Sequence, residues 1–259
     1  MPGWNSFNTG APAGGMTAKI VEITGSGGTK VHAYTATPEG KGPFPGIVLI
    51  HHMPGWDELY FEFTRRFAQH GYNAICPDLY ERFGHGLPDE ITQKMRAAGG
   101  VPDKTVVDDC VAAAKWLKAL PTSNGKVGII GTCSGGRHAM LVGSQSKEFS
   151  AIADLWGGGV VMKPEELNDK RPVAPIDLTK DVTAPVLGIF GNDDQSPTPA
   201  QVDQHEAELK KHGKNYEFHR YDGAGHGFFY YHRPAYRAEQ ASDAWEKIYA
   251  FFDKNLGAK

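Results

Sequence analysis

The sequence predicts an α/β domain: a doubly wound, mostly parallel sheet entered through an N-terminal antiparallel hairpin. Three observations predict it. From about Phe44 onward, short apolar runs alternate with stretches of helical spacing, the order that builds a parallel sheet covered on both faces. Ahead of them, Thr17 to Thr37 alternates in polarity around Gly25-Ser26-Gly27-Gly28, a hairpin signal. No internal repeat or linker-like change of composition divides the 259 residues. The expected organisation is a loose arm over residues 1–16, rich in Gly, Pro and Asn, followed by one domain over 17–259.

Each element has a local reason. Pro45 to His51 (PGIVLIH) is nearly continuous and apolar, as a strand buried on both faces requires. Leu59, Phe63 and Phe67 share one helical face, and Gly71 supplies a left-handed cap. Asn73 to Cys76 is a strand, and Asp103 to Leu120 a helix with Val107, Cys110, Val111, Ala114 and Leu117 on its inner stripe. Lys126 to Gly131 is a buried strand, followed by a helix to about Ser146 and a strand from Ala151 to Trp156. Residues 157–182 are polar and aperiodic, an excursion over the surface. Pro185 to Phe190 returns to the sheet. Thr198, Pro199 and Gln201 form a capping box that opens a helix to Gly213. A strand from Tyr216 to Tyr221 follows. The last helix buries Ala241, Ala244, Trp245, Ile248 and Phe252.

Composition narrows the function. A net charge of −3 without basic runs gives no footing for nucleic acid or an acidic membrane surface. No apolar stretch approaches the roughly 18 residues of a membrane span, and the first 16 residues lack the basic start and apolar core of a secretory signal. Three cysteines cannot close a disulfide set, so a reduced, cytoplasmic chain is expected.

One turn carries chemistry. Gly131-Thr132-Cys133-Ser134-Gly135-Gly136 joins a strand to a helix in the pattern that forces its middle side chain outward, with glycines where side chains would collide. A thiol there, with a base behind it, is a nucleophile toward acyl groups. The base and its orienting acid should lie past the C-terminal ends of strands. Gly191-Asn192-Asp193-Asp194 follows the PVLGIF strand, and Gly223-Ala224-Gly225-His226-Gly227 follows Tyr216 to Tyr221. Asp193 is favoured as the acid because it lies nearer the strand end, with Asp194 the alternative. The order Cys133, Asp193, His226 is that of the α/β-hydrolases. Cys76 and Cys110 fall on apolar positions and read as small core residues.

With these residues in view, the chain resembles the dienelactone hydrolase family, the cysteine branch of the α/β-hydrolases. The resemblance rests on VLIHHMPGWD (Val48 to Asp57), the segment from Gly71 to Tyr80 with its PDLY, the GTCSGG turn, GNDD and AGHGF. It implies a small monomeric or weakly dimeric hydrolase of esters or lactones, with no metal or organic cofactor. It also implies an oxyanion hole from the backbone N–H groups of Met53 and Ser134, which agrees with their places after a strand and at a helix start.

Two positions depart from the family. His52 stands where the family has the glutamate that holds the resting thiol, so a resting pair of protonated His226 and partly ionised Cys133 is expected. Arg82 matches one of the family's carboxylate-binding arginines. Where another would follow AGHGF, the chain has Phe229-Tyr230-Tyr231, with Arg233 beyond. An aromatic pocket with Trp56, Trp156 and Phe228 as walls is therefore expected, along with acceptance of neutral esters at least as good as of carboxylate-bearing lactones. Arg82 has an ordinary alternative as an ion-pair partner of Glu81 or Asp78.

Other readings are weaker. An amidotransferase-like hydrolase would need an H-x-E after the nucleophile, and none occurs. A catalytically silent binding protein is at odds with an intact triad. A metal role for His51, His52 and His85 lacks ligand spacing, since adjacent residues of a strand face opposite ways.

Overall fold

The computed structural model describes residues 15–257. Its strands are β1 (Met16–Thr24), β2 (Lys30–Pro38), β3 (Phe44–Ile50), β4 (Asn73–Pro77), β5 (Ser123–Thr132), β6 (Ala151–Leu155), β7 (Val186–Gly191) and β8 (Tyr216–Tyr221). Its α-helices are α1 (Glu58–Gln69), α2 (Pro88–Ala97), α3 (Asp103–Lys118), α4 (Ser134–Gln145), α5 (Pro199–Lys211) and α6 (Ala238–Leu256). All eight strands form one sheet in the order β1-β2-β4-β3-β5-β6-β7-β8. Pairing is antiparallel from β1 through β2 to β4 and parallel from β4 onward. This is the α/β-hydrolase architecture with the mixed edge read from the sequence. The expected arm falls outside the described residues except for Gly15 and Met16, and Met16 already belongs to β1.

The sheet is central because its strands are apolar on both sides. Ile47, Val48, Leu49 and Ile50 are essentially inaccessible, and a sheet buried this way needs helices on each face. Phe63 and Phe67 of α1 and Trp245, Ile248 and Phe252 of α6 make one core. Cys110 and Leu117 of α3 and Met140 and Val142 of α4 belong to the other. The Asp57 side chain accepts the N–H of Tyr60 to cap α1, and the Thr198–Gln201 box opens α5 as expected. On α3 the inner stripe is rotated slightly: Val106 is fully buried, whereas Val107 and Val111 are only partly so.

Two features go beyond the sequence reading. Helix α2 was not foreseen; its inward residues are few (Ile91, Thr92 and Met95), so its periodicity is faint. The excursion over 157–182 is ordered, with short 3₁₀ turns at Pro164–Glu166 and Pro175–Asp181. It is strapped to the region between α2 and α3: the N–H of Asp103 donates to the Lys170 carbonyl (2.8 Å), and Lys170 Nζ donates to the Gly100 carbonyl (2.9 Å). That strap makes it a wall of the cavity described next.

Candidate active site

Cys133 stands between β5 and α4 with φ 55° and ψ −125°, a left-handed region that non-glycine residues rarely enter. Its neighbours show why the turn is glycine-rich. A Cβ on Gly131 would lie 2.1 Å from the Gly135 carbonyl oxygen, and one on Gly135 would lie 2.2 Å from the Ile50 carbonyl oxygen. On Gly136 it would meet the Asp154 carboxylate at 2.3 Å. Strand, turn and helix approach too closely for side chains. The Cys133 N–H is held by the Leu155 carbonyl (3.0 Å), which anchors the strained residue to β6.

His226 comes from the loop after β8. Its Nδ1 lies 3.0 Å and 3.2 Å from the two carboxylate oxygens of Asp194. The carboxylate facing the imidazole is therefore that of Asp194, which corrects the expectation of Asp193. The backbone explains the difference. A tight turn closes from the Asp194 N–H to the Gly191 carbonyl (3.3 Å), while the Asp193 N–H is tied to the Ala224 carbonyl (2.9 Å). This leaves Asp193 exposed and Asp194 only 1 % exposed, and Asp194 also accepts the Ser196 N–H (2.8 Å). Burial disfavours a charged His226, but hydrogen bonds to Asp194 and Cys133, with the charges of both, outweigh it and raise its pKa to about 10.

Ser134 opens α4 and Met53 follows β3; both line the cavity with Cys133. Among the described residues, neither backbone N–H has a hydrogen-bond acceptor. They are thus free for an oxygen bound beside the sulfur. The cavity encloses about 550 Å³, and its walls combine Met53, Met95 and Met162 with Tyr80, His138 and Arg171.

The expected aromatic walls are elsewhere. Trp156 and Phe228 are fully buried, their ring centroids 5.1 Å apart, in the core beneath the turn. Trp56 leans on that core and donates its indole N–H to the Cys76 carbonyl (3.1 Å). His52 is also wholly buried. Its Nε2 lies 2.8 Å from an Asp57 oxygen, and its ring is set between those of Tyr60 and Tyr230. Arg82 turns away to a bidentate pair with the fully buried Asp109 (2.7 and 3.1 Å), rather than with Glu81 or Asp78. None of these five residues is on the cavity wall. Cys76 and Cys110 are core residues, as expected.

Two contributors were not anticipated. Arg171, in the excursion, reaches the cavity, and among the described residues its guanidinium has no carboxylate partner. It lies against Gly100, where even a Cβ would stand 3.3 Å from it. The cavity's other arginine, Arg137, is committed to a buried bidentate pair with Asp103 (2.7 and 2.8 Å), and the carboxylate of Glu166 accepts the Lys163 N–H. Behind the turn, the hydroxyls of Tyr60, Thr132 and Tyr230 form a chain with 2.8 Å links. A lone arginine inside an aperiodic segment gives a sequence reader no signal.

Fold and turn together define a hydrolase of the α/β class. The sequence profile of the dienelactone hydrolase family matches residues 31–256, and the chain belongs to that family. It is 34% identical over 243 residues to a candidate carboxymethylenebutenolidase of Methylorubrum extorquens, covering 93% of this chain and 82% of that protein. A candidate carboxymethylenebutenolidase of Escherichia coli K12 is 31% identical over 239 residues, covering 90% and 86%. The crystal structure of a candidate dienelactone hydrolase from Klebsiella pneumoniae superposes with a TM-score of 0.84 at 29% identity, covering 93% of this chain and 99% of that one.

Proposed function

We propose that the chain hydrolyses ester or lactone bonds through Cys133, His226 and Asp194. The observation that carries the reading is that His226, held by Asp194 through Nδ1 at 3.0 Å, lines the same cavity as Cys133 at its strained turn. The thiolate of Cys133 attacks the acyl carbonyl, and the resulting oxyanion takes hydrogen bonds from the N–H groups of Ser134 and Met53. One such donor is typically worth about 3–4 kcal/mol in the transition state. Collapse expels the alkoxide, which takes the proton of His226. In a lactone the alkoxide remains tethered, so the acyl-enzyme carries a free hydroxyl. Water then gives a proton to His226, attacks the thioester and releases Cys133 as thiolate. Asp194 holds the ring's tautomer and balances its charge.

The Arg171 guanidinium, without a carboxylate partner among the described residues, supports a substrate with an anionic group, in place of the at-least-equal acceptance of neutral esters that an aromatic pocket implied. The relatives' name points the same way, since a carboxymethylenebutenolide is a lactone bearing a carboxylate. No metal or organic cofactor enters these steps. Three free thiols suit a reducing compartment such as the cytoplasm, and a monomer or weak dimer suits a site built from one chain.

Brief reaction with p-nitrophenyl acetate, quenched in acid, is expected to leave an acetyl group on the peptide containing Cys133. Undiminished turnover by Cys133→Ala would remove the proposal.

A further inference from the structure

Outside the catalytic cavity, two imidazoles and a carboxylate converge where β2 meets the turn after β4. His32 Nδ1 lies 3.0 Å and 3.2 Å from the two oxygens of Glu81, and His85 Nε2 lies 3.3 Å from Glu81 Oε1. One ligand atom from each residue lies within 4.8 Å of the other two. The imidazole rings stand at 81° with centroids 5.3 Å apart, so they approach the carboxylate from different directions. We infer that His32, Glu81 and His85 form a binding site for a borderline divalent metal ion of the zinc class.

Ligand chemistry and geometry both support this. Two neutral nitrogens and one carboxylate suit zinc and its neighbours better than magnesium or calcium, which take oxygen ligands. Bonds of about 2.0–2.1 Å in a tetrahedron place ligand atoms roughly 3.4 Å apart, close to the Glu81 distances, and leave a fourth position for water.

The site is also held in place before any ion arrives. The His32 N–H donates to Glu81 Oε2 (3.0 Å), and the Asp78 N–H donates to the His32 carbonyl (2.8 Å), which joins the turn to the strand. No lysine or arginine forms an ion pair with Glu81 among the described residues, so the two imidazoles are its ion-pair partners there. Ligation through His32 Nδ1 moves that ring's proton to Nε2, 4.0 Å from Glu22 Oε1, an outer carboxylate of the kind that orients metal-bound histidines. His85 is largely exposed and gives the ion a way in. Because Glu81 follows Tyr80, a wall of the catalytic cavity, a bound ion would tie that wall to β2.

Calorimetric titration of untagged Cys133→Ala protein with Zn(II) near pH 7.5 tests the site without competition from the catalytic thiol. One equivalent is expected to bind, at least about tenfold more weakly in Glu81→Gln and not measurably in the His32→Ala/His85→Ala double variant. Thermal melting gives a second readout that tolerates a poorly folding variant. Zinc should raise the Tm of the parent and leave that of His85→Ala, altered at an exposed ring, unmoved. Absence of binding to the parent, or equal binding by the double variant, overturns the inference.

Discussion

The Asp194 carboxylate lies 3.0 Å from Nδ1 of His226 and is almost inaccessible to solvent, whereas its neighbour Asp193 is exposed. Asp194→Asn is therefore expected to lower kcat by roughly 10²–10⁴-fold, as loss of the orienting acid does in other triads. Asp193→Asn should stay within a few-fold of the parent. Steady-state kinetics on one aryl ester compares the two directly, and the opposite ranking would return the role to Asp193.

The raised pKa of His226 has a direction in pH. Its folded value of about 10 exceeds the ordinary 6.5, so the stability this group contributes is complete below about pH 6.5 and is lost as pH rises toward 10. Urea midpoints of the parent should fall relative to His226→Gln across that window. The same imidazolium should make Cys133 react with iodoacetamide at pH 6–7 faster in the parent than in His226→Gln. A parent thiol that reacts no faster would break the proposed pair.

Backbone crowding at the turn predicts a different failure. A methyl on Gly135 would stand 2.2 Å from the Ile50 carbonyl oxygen, and neither β3 nor α4 can yield without disturbing the core. Gly135→Ala should cost about 1–3 kcal/mol or more and displace the Ser134 N–H. Circular dichroism melts will show a lower Tm, and kcat will fall even where the variant folds.

The two arginines separate specificity from stability. Arg171→Ala should raise KM for carboxylate-bearing lactones at least tenfold, with little change for neutral esters and in Tm. Arg82→Ala leaves Asp109 buried and stripped of its bidentate partner, a change that typically costs about 3–5 kcal/mol. Its signature is a lower Tm with KM nearly unchanged, because the guanidinium does not reach the cavity.

How far the site could be read in advance depended on how local its causes were. The turn around Cys133 was legible because the close approach of strand and helix forces glycine at fixed offsets. The His226 loop was legible because it follows an evident strand. The choice between Asp193 and Asp194 was not, since one residue of rotation in the Gly191–Asp194 turn decides which carboxylate points inward. Trp56, Trp156 and Phe228 were misplaced because large apolar side chains stabilise a core as readily as a pocket, and here the core under the turn claimed them.

By itself, then, the sequence determined the order of the strands and of every α-helix but α2, the strained turn at Cys133, and the chain order of cysteine, aspartate and histidine. Those follow from local periodicity, capping and steric crowding, which act over a few residues. Only the tertiary structure decided which aspartate meets His226, that Arg82 serves Asp109, and that Arg171 reaches the cavity with no carboxylate partner among the described residues. Each is a pairing between distant segments, and the side chain that pairs is set by how those segments are turned against each other in three dimensions.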